Sequence, residues 1–500
     1  MTVASAQRSQ SAESAQSALD RVPRQLYIDG RFVDAQSGKT FGVVDPGTGR
    51  ELLQVAEGDA ADVDRAVLAS RRAFESGPWR DMTTIERSRL IWRLGDLIEE
   101  NLDTFAILES LDVGKPLQVS LTGDIPFAAK WFHHMAGLAT RMEGTTVTPS
   151  LPGRWQGMSL RQPVGVVGAI VPWNTPLIIT AWKLAPALAC GNTVVLKPAE
   201  ETPLTALFFA SLLEQAGLPD GVVNVVTGFG HTAGAAIAAH GGIDKVSFTG
   251  STEIGKEIVK AATGNLKRVS LELGGKSANI VMPDADLELA IPGAATAVFA
   301  NSGQICTAGT RLFVHSSIFD EVVSGVAEQA RAINVGHSLD PDVTMGPVIS
   351  ERHRDRVVSY LESGFEDGAE AAAGGSARPD DGYFIEPTIL TNVRPTMKVV
   401  REEIFGPVVV AQRFDTLAEV IAMANDTEYG LAAGVWTTNL HSAHRCIQEL
   451  RAGSVYVNTF NVADPSLPFG GIGQSGWGRE HGEGALEQYS ETKSAVMYLG

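Results

Sequence analysis

Short apolar runs rich in β-branched residues alternate with helical stretches from about Arg161 onward, and this alternation constrains the fold more than any other feature of the chain. The runs read VGVVGAIV, TVVLK, VVNVV, KVSFT and RVSLEL, and helical apolar spacing lies between them in residues 176–188, 203–216 and 252–262. Parallel strands need crossover connections, so this order of elements forms a parallel sheet covered on both faces. The sequence therefore predicts an α/β fold with a doubly wound sheet.

A second α/β block is predicted downstream of the first. It begins near SANIVMPDADLELA, and its strands read RLFVHSSIF, VVVAQRF, LAAGVWTT and GSVYVNT. Upstream, LYIDGRFVDAQSGKTFGVVDP is typical of a hairpin, and residues 62–111 show helical apolar spacing. We find no internal repeat in the sequence. A chain of 500 residues is too long for one hydrophobic core, which agrees with two or more domains.

Composition disfavours several classes of partner. The formal net charge is −18, whereas nucleic acids and anionic membranes attract basic surfaces. No run approaches the roughly 20 apolar residues needed to span a bilayer. Three cysteines cannot form a disulfide framework, and no Cys/His spacing suits zinc, so we predict no metal and a cytoplasmic location. Residues 1–21 lack an apolar signal segment and are predicted to be a disordered tail.

Two strand-like segments are too short to form a domain. They are the stretch RMEGTTVTPSLPGRWQGMSLRQP and the final stretch EQYSETKSAVMYLG. Exposed strands of this kind often pair with another chain, which favours an oligomer. The alternative is a pair of hairpin flaps on the same subunit, and the sequence leaves both readings open.

Cys306 is the first candidate for chemistry. It lies in the loop NSGQICTAGT, after the amphipathic stretch 287–299, where packing needs no thiol. Free cysteines are usually small buried hydrophobes, and Cys190 and Cys446, in helical patterns, fit that description. A thiol with an ordinary pKa of about 8.5 must be activated to act as a nucleophile at neutral pH.

A carboxylate and an amide are the next candidates. Glu272 in VSLELGGKS ends an apolar strand, so it is either a general base with a raised pKa or a glutamate satisfied by loop amides. Asn174 in IVPWNTP lies where a strand turns into a helix. Its amide N–H could stabilise a developing oxyanion, or the residue could be a helix N-cap.

Three loops could hold a phosphate-bearing cofactor. KVSFTGSTEIG places Gly250 and Ser251 between a strand and a helix N-terminus, which is a favourable position for an anion. The segment TGFGHTAG has GxGxxxG spacing rather than GxGxxG and on its own indicates a turn. Lys197 and Glu200 in VVLKPAEETP follow a strand, where they could bind ribose hydroxyls or form an ordinary solvated charge pair.

Taken together, the motifs carry a resemblance that none carries alone. PWNTP, KPAEETP, FTGST, LELGGKS, GQICTAGTR, EEIFGPV, PFGG and SGWGRE follow one another in the order and approximate spacing of the NAD(P)-dependent aldehyde dehydrogenase superfamily, which the chain resembles from about residue 22 onward. The resemblance implies an enzyme with a Rossmann-like cofactor domain, an α/β catalytic domain and a small β oligomerisation flap. It also implies a small-molecule aldehyde substrate and a homo-oligomer, a dimer or tetramer.

The resemblance assigns roles to five residues near the reaction. Cys306 is similar to the family's nucleophile, Glu272 to its general base, and Asn174, with the backbone N–H of Cys306, to its oxyanion hole. Lys183 and Glu480 match positions linked to thiol activation and proton relay. The implied reaction passes through a thiohemiacetal and a thioester on the cysteine, which water activated by Glu272 hydrolyses to the carboxylate.

The resemblance also implies the contacts to cofactor and substrate. The implied cofactor contacts are Lys197 and Glu200 for the adenosine ribose, Gly250 and Ser251 for the pyrophosphate, Glu403 and Phe405 for the nicotinamide ribose, and Ile170, Pro172, Trp173, Gly230, Gly234, Phe248 and Leu273 elsewhere. The implied substrate pocket is lined by Thr175, Ile178, Trp182, Ala300, Ile305, Thr307, Ala463 and Phe469. A carboxylate facing the ribose repels a 2′-phosphate, so NAD is the expected cofactor, with NADP possible.

Departures from the family pattern bear on the substrate. Many relatives carry aromatic residues at three channel positions, where this chain has Thr175, Ala300 and Ala463. We therefore expect a wide channel for a bulky apolar aldehyde that is aromatic, terpenoid or of medium chain length. The lysine of the family's GGxKxSG segment is replaced by Gly473. The alternatives are a coenzyme A-acylating semialdehyde dehydrogenase, which generally lacks a carboxylate at Glu272, a cysteine esterase, and a catalytically idle relative.

The predicted domains follow from these assignments. Residues 22–144 and 161–273 are expected to form the NAD-binding domain and residues 274–484 the catalytic domain. Residues 145–160 and 485–500 are expected to be oligomerisation strands.

Overall fold

Two sheets, one of eight strands and one of seven, organise the chain, and the computed structural model describes residues 13–500. In spatial order the first sheet contains β19 (Gly476–Trp477), β11 (Arg268–Glu272), β10 (Lys245–Thr249), β7 (Val166–Ile170), β8 (Thr193–Lys197), β9 (Val223–Val225), β1 (Leu26–Ile28) and β2 (Arg31–Val33). The five strands from β11 to β9 are parallel, and β19 and β1 are added antiparallel at the two ends. The strands β7 and β8 are buried throughout, as continuous apolar runs require.

The strand order of this sheet reverses between β7 and β10. The chain passes from β7 outward to β8 and β9, then returns to add β10 and β11 on the other side. In doubly wound sheets this reversal opens a crevice outside the carboxyl ends of the strands. The predicted doubly wound α/β fold is confirmed, and the candidate cofactor loops follow β7, β8, β10 and β11.

The second sheet is also mostly parallel. In spatial order it contains β14 (Glu370–Ala373), β15 (Thr388–Thr391), β16 (Val408–Phe414), β13 (Arg311–His315), β12 (Ala278–Val281), β17 (Ala432–Trp436) and β18 (Ser454–Val457). Only β14 runs antiparallel to its neighbour. Two smaller sheets join β3 (Thr40–Asp45) to β4 (Arg50–Ala56), and β20 (Ser490–Tyr498) to β6 (Trp155–Pro163) and β5 (Thr146–Val147).

Helices cover both faces of the two large sheets. They are α1 (13–20), α2 (Ala60–Ser76), α3 (Pro78–Asp81), α4 (Thr84–Glu100), α5 (Leu102–Val113), α6 (Leu117–Val119), α7 (Ile125–Leu138), α8 (Pro176–Ala189), α9 (Leu204–Ala210), α10 (Ala235–Ala239), α11 (Thr252–Ala262), α12 (Leu287–Phe299), α13 (Phe319–Ala332), α14 (Glu351–Glu366), α15 (Lys398–Arg401), α16 (Leu417–Asn425), α17 (Leu440–Glu449) and α18 (Gly482–Gln488). Among the described residues, no helix has the length and apolar character needed to cross a membrane.

Side-chain caps fix where several of these helices begin. Asp59 and Thr83 each form a capping box at the start of α2 and α4, and Asp286 accepts a hydrogen bond from Glu288 N at the start of α12. The predicted helix over 203–216 is wrong in its second half. It ends at Ala210, where the Ser211 hydroxyl donates to the carbonyl of Phe208 at 2.6 Å and competes with continued helical bonding.

The two strand-like segments pair with each other within one chain. The strand β20 lies antiparallel to β6 along its whole length, from Ser490 opposite Pro163 to Tyr498 opposite Trp155. This sheet exposes Val147, Leu160, Val496 and Tyr498. The sequence did not indicate this pairing, because each segment alone has the pattern of an unpaired edge strand.

The prediction that residues 1–21 are disordered is wrong for part of that segment. Residues 1–12 lie outside the described part of the chain, but residues 13–20 are helical. Ala18 and Val22 are buried in the main hydrophobic cluster, and the Arg21 guanidinium donates to Asn101 Oδ1 at 2.7 Å. The helix forms because tertiary contacts outweigh the polar composition of the segment.

We expect these contacts to contribute measurably to stability. A chain lacking residues 1–22 should unfold with a free energy about 2 kcal/mol lower than a chain lacking only residues 1–12, because it loses the burial of Ala18 and Val22. Thermal melts of the two truncated chains, followed by circular dichroism, make the comparison. Identical melting temperatures would contradict a stabilising role for α1.

Candidate active site

Cys306 lies in a loop whose backbone conformation is unusual. The helix α12 ends at Phe299 and is followed by a short turn in which Asn301, Ser302 and Gly303 all have positive φ, at 48°, 55° and 71°. Two side chains hold this turn in place: Asn301 Nδ2 donates to the carbonyl of Asn174 at 3.0 Å, and Ser302 Oγ donates to that of Gly346 at 2.8 Å. Positive φ is costly for residues other than glycine, so these bonds fix a conformation that the backbone would otherwise avoid.

The Asn174 amide points into this loop. Its Nδ2 donates to the carbonyl of Gln304 at 2.8 Å, and the side chain is buried. The N-cap position of α8 belongs instead to Thr175, which makes no side-chain cap bond. The structure therefore contradicts the N-cap alternative and places a neutral N–H donor beside the segment that carries Cys306.

Glu272 is buried without a hydrogen-bonding partner among the described residues. Neither of its carboxylate oxygens has one, so the alternative of a glutamate satisfied by loop amides is wrong. The side chain lies against Gly470, where a Cβ would come within 2.6 Å of Oε1. Burial raises the pKa of Glu272 well above its usual value, the nearby Glu480 raises it further, and Lys183 and Arg479 oppose the shift. A carboxyl group of this kind has a high affinity for a proton.

The thiol of Cys306 has a raised pKa in the same environment. Burial raises it to about 12, and the carboxylates of Glu272 and Glu403 add to the effect by repelling a thiolate. Cys306 is therefore a neutral thiol at neutral pH in this structure. Cys190 and Cys446 are buried, and their pKa values are raised by burial to about 12 and about 11. Both fit the predicted structural role.

Lys183 and Glu480 form a buried ion pair. The Lys183 ammonium donates to Glu480 Oε1 at 2.8 Å and to the Ser247 hydroxyl at 3.0 Å, while Glu480 Oε2 has no partner among the described residues. Both side chains are close enough to Glu272 to act on its pKa. The pair therefore belongs to the surroundings of Glu272 rather than to those of the thiol.

The predicted adenosine-ribose residues meet at the carboxyl end of β8. Lys197 Nζ donates to Glu200 Oε2 at 3.0 Å, and the backbone N–H of Gly230 donates to Glu200 Oε1 at 3.4 Å. A Cβ on Gly234 would lie 3.7 Å from the Lys197 side chain. Burial opposes ionisation of Glu200, but Lys197 and these hydrogen bonds lower its pKa overall. The carboxylate is thus held ionised beside the crevice.

The predicted phosphate and nicotinamide-ribose residues line the same crevice. Ser251 caps α11 by accepting from Ile254 N, which leaves the first amides of the helix free for an anion. Glu403 Oε1 accepts from Gly275 N at 2.9 Å, and a Cβ on Gly274 would come within 2.2 Å of Glu403 Oε2. Burial raises the pKa of Glu403 to about 7.

The remaining predicted cofactor residues flank these groups. Trp173 packs edge-on against Phe405 at 5.2 Å between ring centroids, and Phe405 has a φ of 61°. Thr249 is at the carboxyl end of β10, and its buried Oγ1 has no hydrogen-bonding partner among the described residues. The carboxyl groups of Glu200 and Glu403, together with the free amides at the start of α11, suit the two riboses and the pyrophosphate of a dinucleotide. The other predicted positions lie on or beside the ends of β7, β10 and β11: Ile170, Pro172, Phe248, Gly250 and Leu273.

Several of the predicted substrate residues pack close to the cysteine in one hydrophobic cluster. Trp182 and Phe469 are 5.3 Å apart between ring centroids, and Cys306 and Ala463 pack against the hydrophobic cluster that contains them. Thr307 Oγ1 donates to Asn461 Oδ1 at 2.8 Å, which turns its hydroxyl away from the apolar wall. The remaining predicted positions are at the start and on the first turn of α8 and in the cysteine loop: Thr175, Ile178, Ala300 and Ile305.

Sequence reasoning missed several members of the site. His481 is buried, and its ring centroid lies 4.2 Å from that of Trp182 and 4.5 Å from that of Trp131. His481 and Trp131 therefore pack behind Trp182. The position of His481 directly after Glu480 was a usable signal, but nothing in the sequence of α7 singled out Trp131. Gly473, where the family's lysine is absent, has a φ of 61°.

One group of possible metal ligands lies away from the cysteine. Asp96, Glu99 and His133 bring ligand atoms close together on α4 and α7, and His133 Nε2 is 3.0 Å from Asp96 Oδ1. Exposed acidic groups of this kind are common without a metal, and the prediction of no metal stays a prediction.

Comparison with known proteins gives a consistent result along the whole chain. The model of the aldehyde dehydrogenase family matches residues 32–495. The phenylacetaldehyde dehydrogenase of Pseudomonas fluorescens is 48% identical over 98% of this chain and 99% of its own length. The mitochondrial benzaldehyde dehydrogenase of Antirrhinum majus is 46% identical over 95% of this chain and 89% of its own length. The NAD+ complex of an aldehyde dehydrogenase from Bacillus cereus superposes with a TM-score of 0.95 at 47% identity, covering 97% and 98% of the two chains.

The raised pKa of Cys306 predicts the pH dependence of its alkylation. In the cofactor-free protein, the rate of reaction with iodoacetamide should rise about tenfold per pH unit without a plateau up to pH ~10, because the thiolate fraction keeps growing below a pKa of about 12. Peptide mass spectrometry follows the modification, with Cys306→Ser as the control. A plateau near pH 8 would show that the thiol has an ordinary pKa.

Proposed function

The chain belongs to the aldehyde dehydrogenase family, and we propose that it oxidises a bulky apolar aldehyde, foremost an aromatic one, to the free carboxylate through a thioester on Cys306. It is an NAD-dependent aldehyde dehydrogenase. The observation that carries the proposal is the carboxyl of Glu272, which is buried, has no hydrogen-bonding partner within residues 13–500 and lies within electrostatic range of Cys306. A group with that proton affinity beside a nucleophile supports hydrolysis of an acyl-enzyme.

The residues supply the following steps. Glu272 takes the proton of the Cys306 thiol, and the thiolate attacks the aldehyde carbon to form a thiohemiacetal. The Asn174 side chain and the backbone N–H of Cys306 stabilise the oxyanion, and Asn174 suits this task because its Nδ2 already points at the cysteine loop. NAD, which Lys197, Glu200 and Glu403 would hold in the crevice, would supply the hydride acceptor that the oxidation of the thiohemiacetal to a thioester requires. Glu272 then takes a proton from water, whose oxygen attacks the thioester and releases the carboxylate.

The groups that hold NAD are proposed from the crevice. Lys197 and Glu200 bind the adenosine ribose, and the free amides after Ser251 bind the pyrophosphate. Glu403 binds the nicotinamide ribose, with Phe405 beside it. The ionised Glu200 supports NAD over NADP, because a carboxylate at the ribose repels a 2′-phosphate.

The substrate class rests on the shape of the wall around the cysteine. Thr175, Ala300 and Ala463 are small side chains at positions where many relatives carry aromatic rings, and Ala463 packs against the cluster that contains Trp182 and Phe469. Aromatic rings pack well against such a wall in edge-to-face or offset geometry. Two relatives named for phenylacetaldehyde and benzaldehyde support the same class.

We also propose that the chain assembles into a homo-oligomer and that its domains follow the predicted boundaries. The sheet of β5, β6 and β20 exposes apolar side chains on all three strands, including Val147, Leu160 and Val496, and its edge strands are β5 and β20. Exposed apolar surface of this kind marks contact sites in soluble proteins. A dimer or tetramer built on this sheet fits these features, and light scattering measures the mass directly.

The aldehyde panel is the first test of the substrate. Purified protein with NAD and without coenzyme A should form NADH from acetaldehyde, octanal, benzaldehyde, phenylacetaldehyde and citral, with kcat/KM at least about tenfold higher for phenylacetaldehyde than for acetaldehyde. Tenfold corresponds to about 1.4 kcal/mol of extra apolar contact in the transition state. NADH absorbance gives the rates.

Two variants serve as controls for the panel. Cys306→Ala should abolish NADH formation, and Ala463→Phe should reduce the preference for phenylacetaldehyde by narrowing the channel. A higher kcat/KM for acetaldehyde than for every aromatic substrate would contradict the proposed class, and a requirement for coenzyme A would contradict hydrolysis.

The role of Glu272 has a kinetic signature. Glu272→Gln should retain a rapid burst of NADH once the thiol is deprotonated at high pH, and then turn over about 10² to 10³ times more slowly than the parent protein. The parent's kcat should rise with pH as Glu272 loses its proton, and this rise should disappear in the variant. Stopped-flow absorbance measures the burst, and mass spectrometry detects the acyl group on Cys306. If Glu272→Gln turned over as fast as the parent protein in the steady state, the general base would have to be another residue.

A further inference from the structure

A chain of buried hydrogen bonds leads from Glu480 into the interior of the first sheet. Lys245 Nζ donates to Ser270 Oγ at 2.9 Å, Ser270 Oγ donates to Ser247 Oγ at 3.2 Å, and Ser247 Oγ donates to Glu480 Oε1 at 3.3 Å. The two serines and the lysine are on the adjacent strands β10 and β11, and all are at most 4% exposed. The bonds thus form a continuous line of exchangeable protons between a carboxylate and an amine.

Ser247 is the branching point of this line. Its hydroxyl oxygen is within hydrogen-bonding distance of the Lys183 ammonium at 3.0 Å and of the Tyr489 hydroxyl at 3.1 Å, in addition to Ser270 at 3.2 Å. A hydroxyl oxygen has only two acceptor lone pairs, so these three donors cannot all be satisfied at once. The network therefore has more than one arrangement of its protons at nearly the same geometry.

The proposed reaction produces protons in a buried place. The thiol gives up one proton when it attacks the aldehyde, and water gives up another when it cleaves the thioester, while the product leaves as a carboxylate. Glu272 accepts each proton but must lose it before the next step. Among the described residues, neither the Glu272 carboxylate nor Glu480 Oε2 has a hydrogen-bonding partner, and Glu480 is near enough to Glu272 to raise its pKa, so a water bound to both groups would connect them.

Lys245 is a suitable end point because it is a buried amine with variable charge. Four groups face it: Glu480 favours its ammonium form, Lys183 and Arg268 oppose it, and the Tyr489 ring lies 5.0 Å from Nζ. Burial is the largest influence and lowers the pKa of Lys245 to about 7. The amine is therefore able to gain or lose a proton at neutral pH, unlike a solvated lysine.

We propose that Ser247 and Ser270 carry protons between Glu480 and Lys245, so that the buried amine of Lys245 holds a proton that Glu272 releases and later returns it through the same hydroxyls to Glu480 and Glu272, which pass it to water as the product leaves. The proposal rests on the proposed function, since it needs Glu272 to act as the base. In each transfer, a hydroxyl accepts a proton on one side and gives one up on the other, so both serines stay neutral while the charges of Glu480 and Lys245 change. Ser247 and Lys245 act through Glu272 and touch no reacting atom.

The test removes the connecting hydroxyl without removing either ion. In Ser247→Ala, the hydrogen bond from Lys183 to Glu480 and the hydrogen bond from Lys245 to Ser270 both remain, but no hydroxyl connects them. Ser247→Thr keeps a hydroxyl at the position. Lys245→Met removes the amine, which does not itself contact Glu480, and Ser338→Ala is the matched control, because Ser338 is buried with an unpartnered hydroxyl outside this network.

The measurement is kcat at saturating NAD and aldehyde from pH 6 to pH 9, with melting temperatures for every variant. Below pH ~7 Lys245 is protonated and cannot accept a proton, so the parent and Ser247→Ala should be similar at pH 6. Above pH ~7 the neutral amine can accept protons in the parent but not in Ser247→Ala, where the connecting hydroxyl is missing. At pH 8.5 the kcat of Ser247→Ala should therefore be about tenfold lower than the kcat of the parent. Lys245→Met should follow Ser247→Ala, whereas Ser247→Thr and Ser338→Ala should follow the parent.

The outcomes separate this inference from the proposed function. The proton path would be overturned if kcat of Ser247→Ala were reduced by the same factor at every pH, or if kcat of Lys245→Met depended on pH as the parent's does. Either result would mean that Ser247 only positions Glu480. If a variant proves unstable, the solvent deuterium isotope effect on kcat of the parent protein tests the proton path instead. The path predicts an isotope effect above pH ~7, and an isotope effect confined to pH values below ~7 would overturn it. Absence of NADH formation by the parent protein with any aldehyde would instead overturn the proposed function.

Discussion

The site depends on one short strand pairing that joins two distant parts of the chain. In the antiparallel contact between β11 and β19, Glu272 lies opposite Gly476 and Leu271 opposite Trp477. Gly476 has a φ of 102°, and a Cβ there would come within 2.1 Å of the Leu271 carbonyl, so the approach requires glycine. The same segment carries Gly470, which closes over Glu272, and Glu480, which acts on its pKa. The proton affinity of Glu272 is therefore set by residues remote from it in sequence.

The second sheet completes the site by contributing the nucleophile and an acid. The loop before β13 carries Cys306, and the segment before β16 carries Glu403. Cys306, Glu272 and Glu403 all have raised pKa values, chiefly because the surrounding protein desolvates their charged forms. The cofactor-free site consequently binds its protons more tightly than solvated side chains of the same types would. Such a site is poised for chemistry in which protons move one at a time between neighbouring groups.

Much of this architecture was readable from the sequence, and what was missed has physical reasons. The strands β7, β8, β10 and β11 were predicted because buried parallel strands are continuous apolar runs. The motifs around Cys306, Glu272 and Asn174 were found because loops at strand ends carry their signal locally. The pairing of β20 with β6, the helix over 13–20 and the line from Ser247 to Lys245 depend on contacts between segments far apart in sequence. Isolated serines and a lysine within apolar strands carry no local mark of such contacts.

The distance in sequence between β11 and β19 has a consequence for how the protein matures. Roughly 200 residues separate the two strands, and closing so long a loop is slow compared with forming the local helices and the neighbouring parallel strands. The environment that raises the proton affinity of Glu272 therefore arises late in folding. A partly folded chain would have Cys306 in place without its base, and its thiol would behave like that of any exposed cysteine. Turnover of the aldehyde, which needs that base, is in this way delayed until the whole chain has folded.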